Sequence, residues 1–334
     1  MKPDDIPLIY TDASSQDVNL AAAALDGWNQ EYDQVDMGLF QGSLEHLSGP
    51  GVQLFRERLN ISVAQLATTP KKQVSILVPL HLSGQRTSDQ ARNICAEGIT
   101  LLPFESDIFW VCGQSSDYVV VSIAVELLKP LLCEADLNAL LQAQRSYAVH
   151  LPAHRLVELQ QTLPLLLHQH LQGDRHILST ELHSRSLQHY LADTLLDLYT
   201  GYDAQGSKRD WRPLGNQHHY IVRQSMAFID SEEGLEASVL DICKALNTPR
   251  RTLNYSFERV TGMAPSRYLR SVRLNRVRRE VLTSSEPIGS IAARYGFFHA
   301  GYFGKEYRRL FGESASQTRT SRICVPIARS LSSF

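Results

Sequence analysis

The sequence predicts an α+β protein of two domains, a β-rich N-terminal domain followed by an all-α C-terminal domain. Three observations support this prediction. The chain has 334 residues, which is longer than one ordinary domain of roughly 100–200 residues. Apolar residues alternate in short segments of the first third, whereas they recur every three or four positions in the last third. With 43% hydrophobic and 20% charged residues, the chain can form a folded core.

Residues 30–126 are predicted to form strands. Apolar positions alternate there, as in Leu59-x-Ile61-x-Val63, and turn-forming residues such as Gly49-Pro50 separate the segments. The segments rich in Val, Ile, Leu and Phe are 35–47, 54–66, 74–82 and 118–125. We therefore expect an antiparallel, cupin-like barrel or a sandwich.

The pattern becomes helical over residues 127–200. Leu156, Leu159 and Leu163 share one helical face, and a similar leucine pattern follows near residue 190. These helices are expected either to cover the sheet or to pair two subunits. Residues 201–217 are polar and contain glycine, which is typical of a linker.

The remaining helical stretches are expected within residues 218–322, and turn residues separate them well. Asn247-Thr248 precedes Pro249, Thr261-Gly262 precedes a second proline, and Gly296 follows the fifth stretch. The predicted helices are 217–231, 236–246, 249–260, 265–283, 287–294, 299–311 and 314–319. The tail, residues 323–334, is expected to be flexible.

The helices at 236–246 and 249–260 are predicted to form a helix-turn-helix unit. Leu253, Phe257 and Val260 share one face of the second helix, so this face is expected to be buried. The outward positions, which are candidates for contacting DNA, are Arg250, Arg251, Asn254, Tyr255 and Glu258. Arg pairs with guanine and Asn with adenine in the major groove, so these residue types are suited to reading bases. A polar face on a helical bundle is the alternative.

A second unit is predicted at 287–311. Ile288, Ile291 and Ala292 form an apolar stripe, and the next helix is expected to be anchored by Tyr302, Phe303, Tyr307, Leu310 and Phe311. A long helix at 265–283 would connect the two units, and it carries arginine at positions 267, 270, 273, 276, 278 and 279. Such a helix could hold two reading helices at a fixed separation on one face of a duplex.

The charge is divided between the two halves. Residues 217–322 hold 17 Lys and Arg against 10 Asp and Glu, a net charge of +7. Residues 1–216 hold 15 against 25, a net charge of −10. This division indicates that the C-terminal domain meets a polyanion such as DNA.

The C-terminal domain resembles the AraC/XylS family of transcription regulators. The resemblance spans about a hundred residues and is carried by three motifs. They are Arg251-x-Leu253-x-x-x-Phe257 with Gly262-Met263-x-Pro265, then Tyr268-Leu269-x-x-x-Arg273-Leu274-x-x-Val277-Arg278-x-x-x-Leu282, and finally Ile288-x-x-Ile291-Ala292-x-x-x-Gly296-Phe297-x-x-x-x-Tyr302-Phe303-x-x-x-Tyr307-x-x-x-Phe311-Gly312. The resemblance implies a seven-helix domain that recognises a promoter through two major-groove helices. It also implies activation of transcription through RNA polymerase.

Specific positions follow from the same resemblance. Arg251, Asn254 and Tyr255 fall where the first reading helix contacts bases, and Ala300, Gly301 and Lys305 fall on the second. For residues 1–200 the resemblance implies an effector-binding and dimerisation domain, so an unidentified small-molecule effector and a homodimer are expected.

Two departures from the family pattern concern the second unit. Ala300, Gly301 and Gly304 have no hydrogen-bonding side chain, so this helix is expected to hold phosphates and add little sequence information. The phosphate contacts are expected from His299, Lys305 and Arg308. The family's proline after the last glycine is absent from Gly312-Glu313-Ser314-Ala315, which makes the end of the domain less well defined.

An enzyme is the competing hypothesis, namely a cupin-like metalloenzyme with an accessory DNA-binding tail. Such an enzyme needs clustered metal ligands, whereas His46 and His81 are isolated, and His168 and His170 point to different helical faces. We expect no enzyme activity, metal or cofactor. The five scattered cysteines predict reduced thiols, and the lack of a long apolar run predicts a cytoplasmic protein without membrane contact.

Overall fold

The computed structural model describes residues 8–82, 94–142, 146–172, 186–194, 211–214, 217–231, 234 and 237–321. Eleven strands among these residues form two antiparallel sheets. The larger sheet has eight strands in the order β1-β3-β4-β9-β6-β7-β10-β11, and the smaller has the order β2-β5-β8. The strands are β1 Ile9–Ser15, β2 Asn29–Gln34, β3 Gly42–Gly49, β4 Val52–Leu59, β5 Val63–Thr68, β6 Gln73–Leu82, β7 Gly98–Leu101, β8 Asp107–Val111, β9 Ser116–Ala124, β10 Tyr147–His150 and β11 Trp211–Pro213.

The two sheets enclose an aromatic core because alternate residues of each strand point to opposite faces. On β4, Phe55 and Leu59 point inward and pack with Tyr32 of the smaller sheet and Tyr118 of β9. Leu54 of the same strand points to the other face and belongs to a second, aliphatic core. The large sheet is thus buried on both faces.

Helices cover the outer face of the large sheet. The longest of them buries Leu159, Leu163 and Leu167 against that face, as the leucine spacing predicts. A shorter helix lies near the edge of β1, where Val18 and Ala22 enter the aromatic core. The helices of this half are α1 Val18–Ala23, α2 Val125–Leu128, α3 Glu134–Leu141 and α4 Ala153–Gln172, with a further helical stretch at residues 186–194.

The C-terminal domain consists of seven helices among the described residues, and they fall close to the predicted positions. They are α5 Gln217–Ile229, α6 Val239–Ala245, α7 Arg250–Thr261, α8 Pro265–Thr283, α9 Ile288–Arg294, α10 Ala300–Phe311 and α11 Ala315–Ser321. Helix α8 runs between two small cores. Tyr268, Leu269 and Val272 belong to the first core, and Leu274, Val277 and Val281 belong to the second.

The two domains pack directly on each other. Val35, Ala64 and Phe109 of the smaller sheet share a hydrophobic cluster with α5, α7 and α8. Asn275 of α8 is fully buried; its side chain accepts a hydrogen bond from the Gln34 N–H at 3.0 Å and donates one to the Gln34 carbonyl at 2.9 Å. The end of β2 therefore pairs with a helix of the other domain.

Arginine pairs reinforce this interface. Arg278 of α8 donates to Asp17 at 2.7 and 2.9 Å, and Arg279 donates to Asp33 at 2.8 Å. Arg278 also lies 4.8 Å from the ring centre of Phe311 and bonds Glu313 at 2.7 Å. Part of the positive charge of α8 is thus neutralised by the N-terminal domain.

The predicted fold class, a β-rich domain followed by a helix-turn-helix domain, is confirmed, but some predicted segments differ. The segment 54–66 is two strands rather than one, and the predicted helical region 127–200 contains β10. Residues 201–210 of the expected linker and the tail 323–334 lie outside the described residues, whereas residues 211–213 pair with β10. Of the four described cysteines, all free thiols, Cys95 and Cys112 are buried and Cys133 is exposed.

The substitution Asn275→Ala tests the domain interface. It is expected to lower the free energy of unfolding by about 1–3 kcal/mol, because it leaves the N–H and C=O of Gln34 buried without partners. Urea denaturation followed by tryptophan fluorescence measures the change. Ser290→Ala, at an exposed position of α9, is the control and should stay within about 0.5 kcal/mol of the parent protein. An equal effect of both substitutions would contradict the interface.

Candidate nucleic-acid interface

The first helix-turn-helix unit consists of α6, a tight turn and α7. The start of α6 is fixed by a capping box in which Ser238 and Asp241 each accept a hydrogen bond from the other's backbone N–H. Asn247 takes a left-handed conformation (φ 45°) in the turn, and Pro249 then precedes α7. Helix α7 ends at Gly262, whose φ of 72° favours glycine.

Helix α7 has one buried and one exposed side, as predicted. Leu253 and Phe257 are fully buried, and Ile242 of α6 lies in the same cluster. Every predicted DNA-contacting position of this helix is at least partly exposed. Arg250, Arg251, Tyr255 and Glu258 are exposed, and Asn254 is half-buried. The helix can therefore present this side to a large ligand.

Tyr255 is held in place by its neighbours. Its hydroxyl accepts a hydrogen bond from the Arg259 guanidinium at 2.7 Å, and that guanidinium lies 5.4 Å from the centre of the Tyr255 ring. His218 of α5 meets the ring edge to face at 5.0 Å. Sequence reasoning did not identify Arg259 or His218 as neighbours of this position, since His218 is 37 residues away along the chain.

The second unit consists of α9, a turn at Gly296 and α10. Three residues on one side of α10, Phe303, Tyr307 and Phe311, are buried, and their tilted rings pack with centres 5.5 and 4.6 Å apart. The Tyr307 hydroxyl also donates to Thr318 of α11 at 2.9 Å. The exposed side comprises His299, which precedes the helix, and Ala300, Gly301, Gly304, Lys305 and Arg308.

Two aromatic residues of this unit are exposed: Tyr302, which was expected to be buried, and Phe298, for which the sequence made no prediction. Tyr302, expected to anchor α10, is 46% exposed and lies under the Arg270 guanidinium at 5.6 Å. The expectation was wrong because Tyr302 lies one position before the buried Phe303 and so faces outward. Phe298 is 75% exposed just before the helix. Nothing in the sequence indicated this exposure, because Phe298 directly follows another aromatic residue, Phe297.

Most arginines of α8 are already engaged within the protein. Arg273 donates to the Ala237 carbonyl at 2.7 Å, and Arg276 donates to the Ile229 carbonyl at 2.8 Å. Arg270 reaches Glu306 of α10 at 3.4 Å. Together with Arg278 and Arg279 at the domain interface, these residues fix the positions of the two units. The net charge of +7 therefore overstates the cationic surface available to DNA.

The missing proline is replaced by a cap. Ser314 accepts a hydrogen bond from the Gln317 N–H at 3.3 Å, and its own N–H donates to the Gln317 side chain at 2.8 Å. This reciprocal pair starts α11 with Ala315 in the first helical turn. The helix expected at 314–319 is thus present without proline.

The described residues of the N-terminal domain do not bring a cluster of metal ligands together. They contain no group of three or more His, Cys, Asp and Glu side chains that could hold a metal ion. His46 is buried beside Phe55, and burial lowers the pKa of its imidazole. Within the same residues, no helix combines the length and the apolar character needed to cross a bilayer.

Comparison with known proteins agrees with this geometry. Residues 242–321 match the family model described as a helix-turn-helix domain. A probable thc operon regulatory protein of Rhodococcus erythropolis is 30% identical over 100 residues, which are 29% of this chain and 30% of that protein. The XylDLEGF operon transcriptional activator 2 of Pseudomonas putida is 40% identical over 77 residues, 22% of this chain and 48% of that protein.

A solved structure adds a third similar protein, a transcriptional regulator with an AraC-type DNA-binding domain from Chromobacterium violaceum. It is 28% identical, with a TM-score of 0.29, and the match covers 31% of this chain and 92% of that one. This chain spans less than half the length of the two operon regulators it matches. The family match identifies residues 242–321 as a helix-turn-helix domain.

Proposed function

We propose that the protein is a sequence-specific DNA-binding transcription regulator, an activator that responds to a small-molecule effector in the cytoplasm. One observation carries this proposal. Helices α7 and α10 each bury one side in their own core and expose the other, and both cores pack on the single helix α8. This is the arrangement that two helices need to enter successive major grooves of one duplex.

The two reading helices have different chemistry. Helix α7 offers Arg250, Arg251 and Asn254, whose side chains can make paired hydrogen bonds to bases. Helix α10 offers Lys305 and Arg308 for phosphates, and its exposed positions nearer the N-terminus are Tyr302 and the small residues Ala300, Gly301 and Gly304. The first unit therefore supplies most of the sequence information, and the second supplies affinity.

The glycines of α10 indicate close approach to the DNA. Apart from its chain neighbours and the backbone of its own helix, a methyl group added at Gly301 or Gly304 would meet no protein atom within 4 Å. Packing within the protein thus gives no reason for these glycines, although each costs up to about 1 kcal/mol of helix stability relative to alanine. We infer that they allow the helix to lie flush in the groove, where the exposed Phe298 can contact thymine methyl groups.

The remaining parts of the proposal concern partners. An activator contacts RNA polymerase, and a homodimer would place two such domains on one promoter. The exposed side of α4 supports the dimer, because Val157 is 47% and Leu165 is 55% exposed with Gln161 between them at helical spacing. Exposed apolar side chains on one side of a helix can form such a contact.

In vitro selection from a random DNA library tests the proposed function. The full-length protein is expected to enrich a motif of two elements spaced about 10 base pairs apart, one helical turn. Binding should weaken steeply with salt concentration, since phosphate contacts release counterions. Recovery of unselected sequence after several rounds would refute sequence-specific binding.

Substitutions on the two reading helices are expected to act differently. Arg251→Ala and Asn254→Ala should each remove about 1–3 kcal/mol of preference for the selected motif, because they remove base contacts. Lys305→Ala should weaken binding to selected and random DNA by the same factor, because it removes a phosphate contact. Fluorescence anisotropy with both DNAs measures these changes. A uniform loss for Arg251→Ala would contradict its assignment to bases.

The glycine interpretation predicts opposite changes in stability and binding. Gly301→Ala and Gly304→Ala should raise the free energy of unfolding by about 0.5–1 kcal/mol, and should weaken DNA binding by about tenfold, near 1.4 kcal/mol. Gly289→Ala on α9 is the matched control, because its methyl group also meets no protein atom within 4 Å outside its chain neighbours and its own helix backbone. The control should gain stability without losing affinity. Equal affinities for all three variants would exclude close approach by α10.

Leu165→Glu tests the proposed dimer. The charge should convert the dimer to a monomer, because it places a carboxylate in an apolar interface. Light scattering after gel filtration measures the mass. Leu66→Glu, at a 40% exposed leucine of β5, should leave the dimer intact. A monomeric parent protein, or a dimeric Leu165→Glu variant, would rule out this interface.

A further inference from the structure

Glu57 is a charged residue in the core between the two sheets. It lies on β4 between the inward-facing Phe55 and Leu59, and its exposed fraction is 4%. Three side chains donate hydrogen bonds to its carboxylate. Tyr32 donates at 2.9 Å, Gln65 at 3.3 Å, and Tyr118 also donates to it.

Glu57 differs from nearby acids because no cation accompanies it. Glu45 pairs with Arg58, and Asp117 pairs with Arg56 at 2.7 Å. Among the described residues, Glu57 forms no ion pair, and burial raises the pKa of its carboxyl group against the effect of its hydrogen bonds. The titratable groups beside it are Tyr32, Tyr118 and Cys112, each with a pKa raised by burial. The three hydrogen bonds offset part of the cost of burying this carboxylate, and a cation beside it would offset more.

A cavity of about 190 Å³ lies beside Glu57. Its walls come from α1, through Leu20, Ala21 and Ala24, and from the end of β1 and the start of β3. It shares Ser14, Ser15, Gly42 and Ser43 with a cleft of about 810 Å³ that opens to solvent. A small molecule could therefore pass from the surface to the side of Glu57.

The walls of the cavity favour one class of ligand. Glu57 repels anions and attracts cations, and the Ser14 hydroxyl can accept a hydrogen bond from an ammonium group. The Ser43 hydroxyl already accepts one from Arg58 at 3.0 Å. Leu20, Ala21 and Leu44 provide an apolar surface for a short carbon chain. The cavity has the volume of about six water molecules at ~30 Å³ each, which suits a molecule of a few carbon atoms.

We propose that this cavity binds a small primary amine, with its ammonium group paired to Glu57 and its carbon chain packed under α1. This inference rests on the proposed function in one respect, namely that the amine is the class of effector to which the regulator responds. Binding of the amine itself does not depend on DNA.

Helix α1 also connects the cavity to the DNA-binding domain. One oxygen of Asp17 caps α1 by accepting hydrogen bonds from Asn19 at 2.9 Å and Leu20 at 3.2 Å. The other oxygen accepts both bonds from Arg278 of α8. A ligand that displaces α1 would therefore shift the residue that anchors α8, and DNA affinity would respond to the amine.

Calorimetric titration of the full chain with a matched series tests the site. Propylamine, 1-propanol and propionate share a three-carbon chain and differ in charge. Propylamine is expected to bind, and the other two at least about tenfold more weakly, since only the ammonium group can pair with Glu57. Similar affinities for propylamine and 1-propanol would overturn the proposal, and so would a lack of propylamine binding.

Two variants locate the binding. Glu57→Gln keeps the size of the side chain but not the charge, and should weaken propylamine binding by roughly 100-fold, while the protein becomes no less stable to heat. Ala24→Leu fills the cavity with Glu57 intact and should also abolish binding, which keeps the test valid if Glu57→Gln does not fold. The control Glu45→Gln should bind as the parent protein does. Parent-like binding by Ala24→Leu would place the amine elsewhere.

Asp17→Asn tests the connection to DNA. Asparagine still caps a helix, but it lacks the charge that holds Arg278. This variant should bind propylamine normally, while its DNA affinity no longer changes with the amine as that of the parent does. If the parent protein binds propylamine but selects no DNA motif, the proposed function fails and the amine site stands. If it selects a motif but binds no amine, the amine site alone fails.

Discussion

The organisation of this molecule depends on the packing of one helix, α8, against three separate surfaces. Its first half completes the core of the first helix-turn-helix unit through Tyr268 and Val272, and its second half completes the core of the other through Val277 and Val281. A third side meets the N-terminal domain through Asn275. Since both cores include residues of α8, the relative position of the two units follows from this shared helix.

The burial of α8 on three sides explains how its arginines are used. A helix in this position has few free surfaces, so its cations lie near backbone carbonyls and carboxylates of neighbouring elements. Arg273 and Arg276 bond carbonyls near α5 and α6, and Arg278 joins Asp17 to Glu313. Buried guanidinium groups with several acceptors fix geometry, because displacing them would leave charges without partners. On the reading helices, by contrast, Arg250, Arg251, Lys305 and Arg308 are exposed.

The N-terminal domain combines a filled core with one charged group. Large aromatic side chains occupy the space between the sheets, and the carboxylate of Glu57 lies among their hydroxyl groups. The adjoining cavity lies under α1, whose capping residue also bonds the DNA-binding domain. A short helix thus separates the proposed ligand from the interface that could respond to it. Such coupling needs only a contact that differs between the free and bound states.

The sequence by itself determined the features that depend on local chemistry. Apolar spacing and turn residues such as Asn247 and Gly296 placed all seven C-terminal helices, because helices form between residues close in the chain. The same spacing showed that Phe257 and Phe303 are buried, and that residues such as Arg251 and Lys305 lie on exposed faces. The strands were located less well, since a strand depends on partners that lie far away in the sequence.

Only the tertiary structure decided which distant residues meet. The pairing of Gln34 with Asn275, 241 positions apart, has no local signal, and neither does the contact of Asp17 with Arg278. The burial of Glu57 without a cation became visible only when β2, β4 and β9 came together around it. The physical reason is that hydrogen bonds and desolvation act on neighbours in space, whereas sequence patterns report neighbours along the chain.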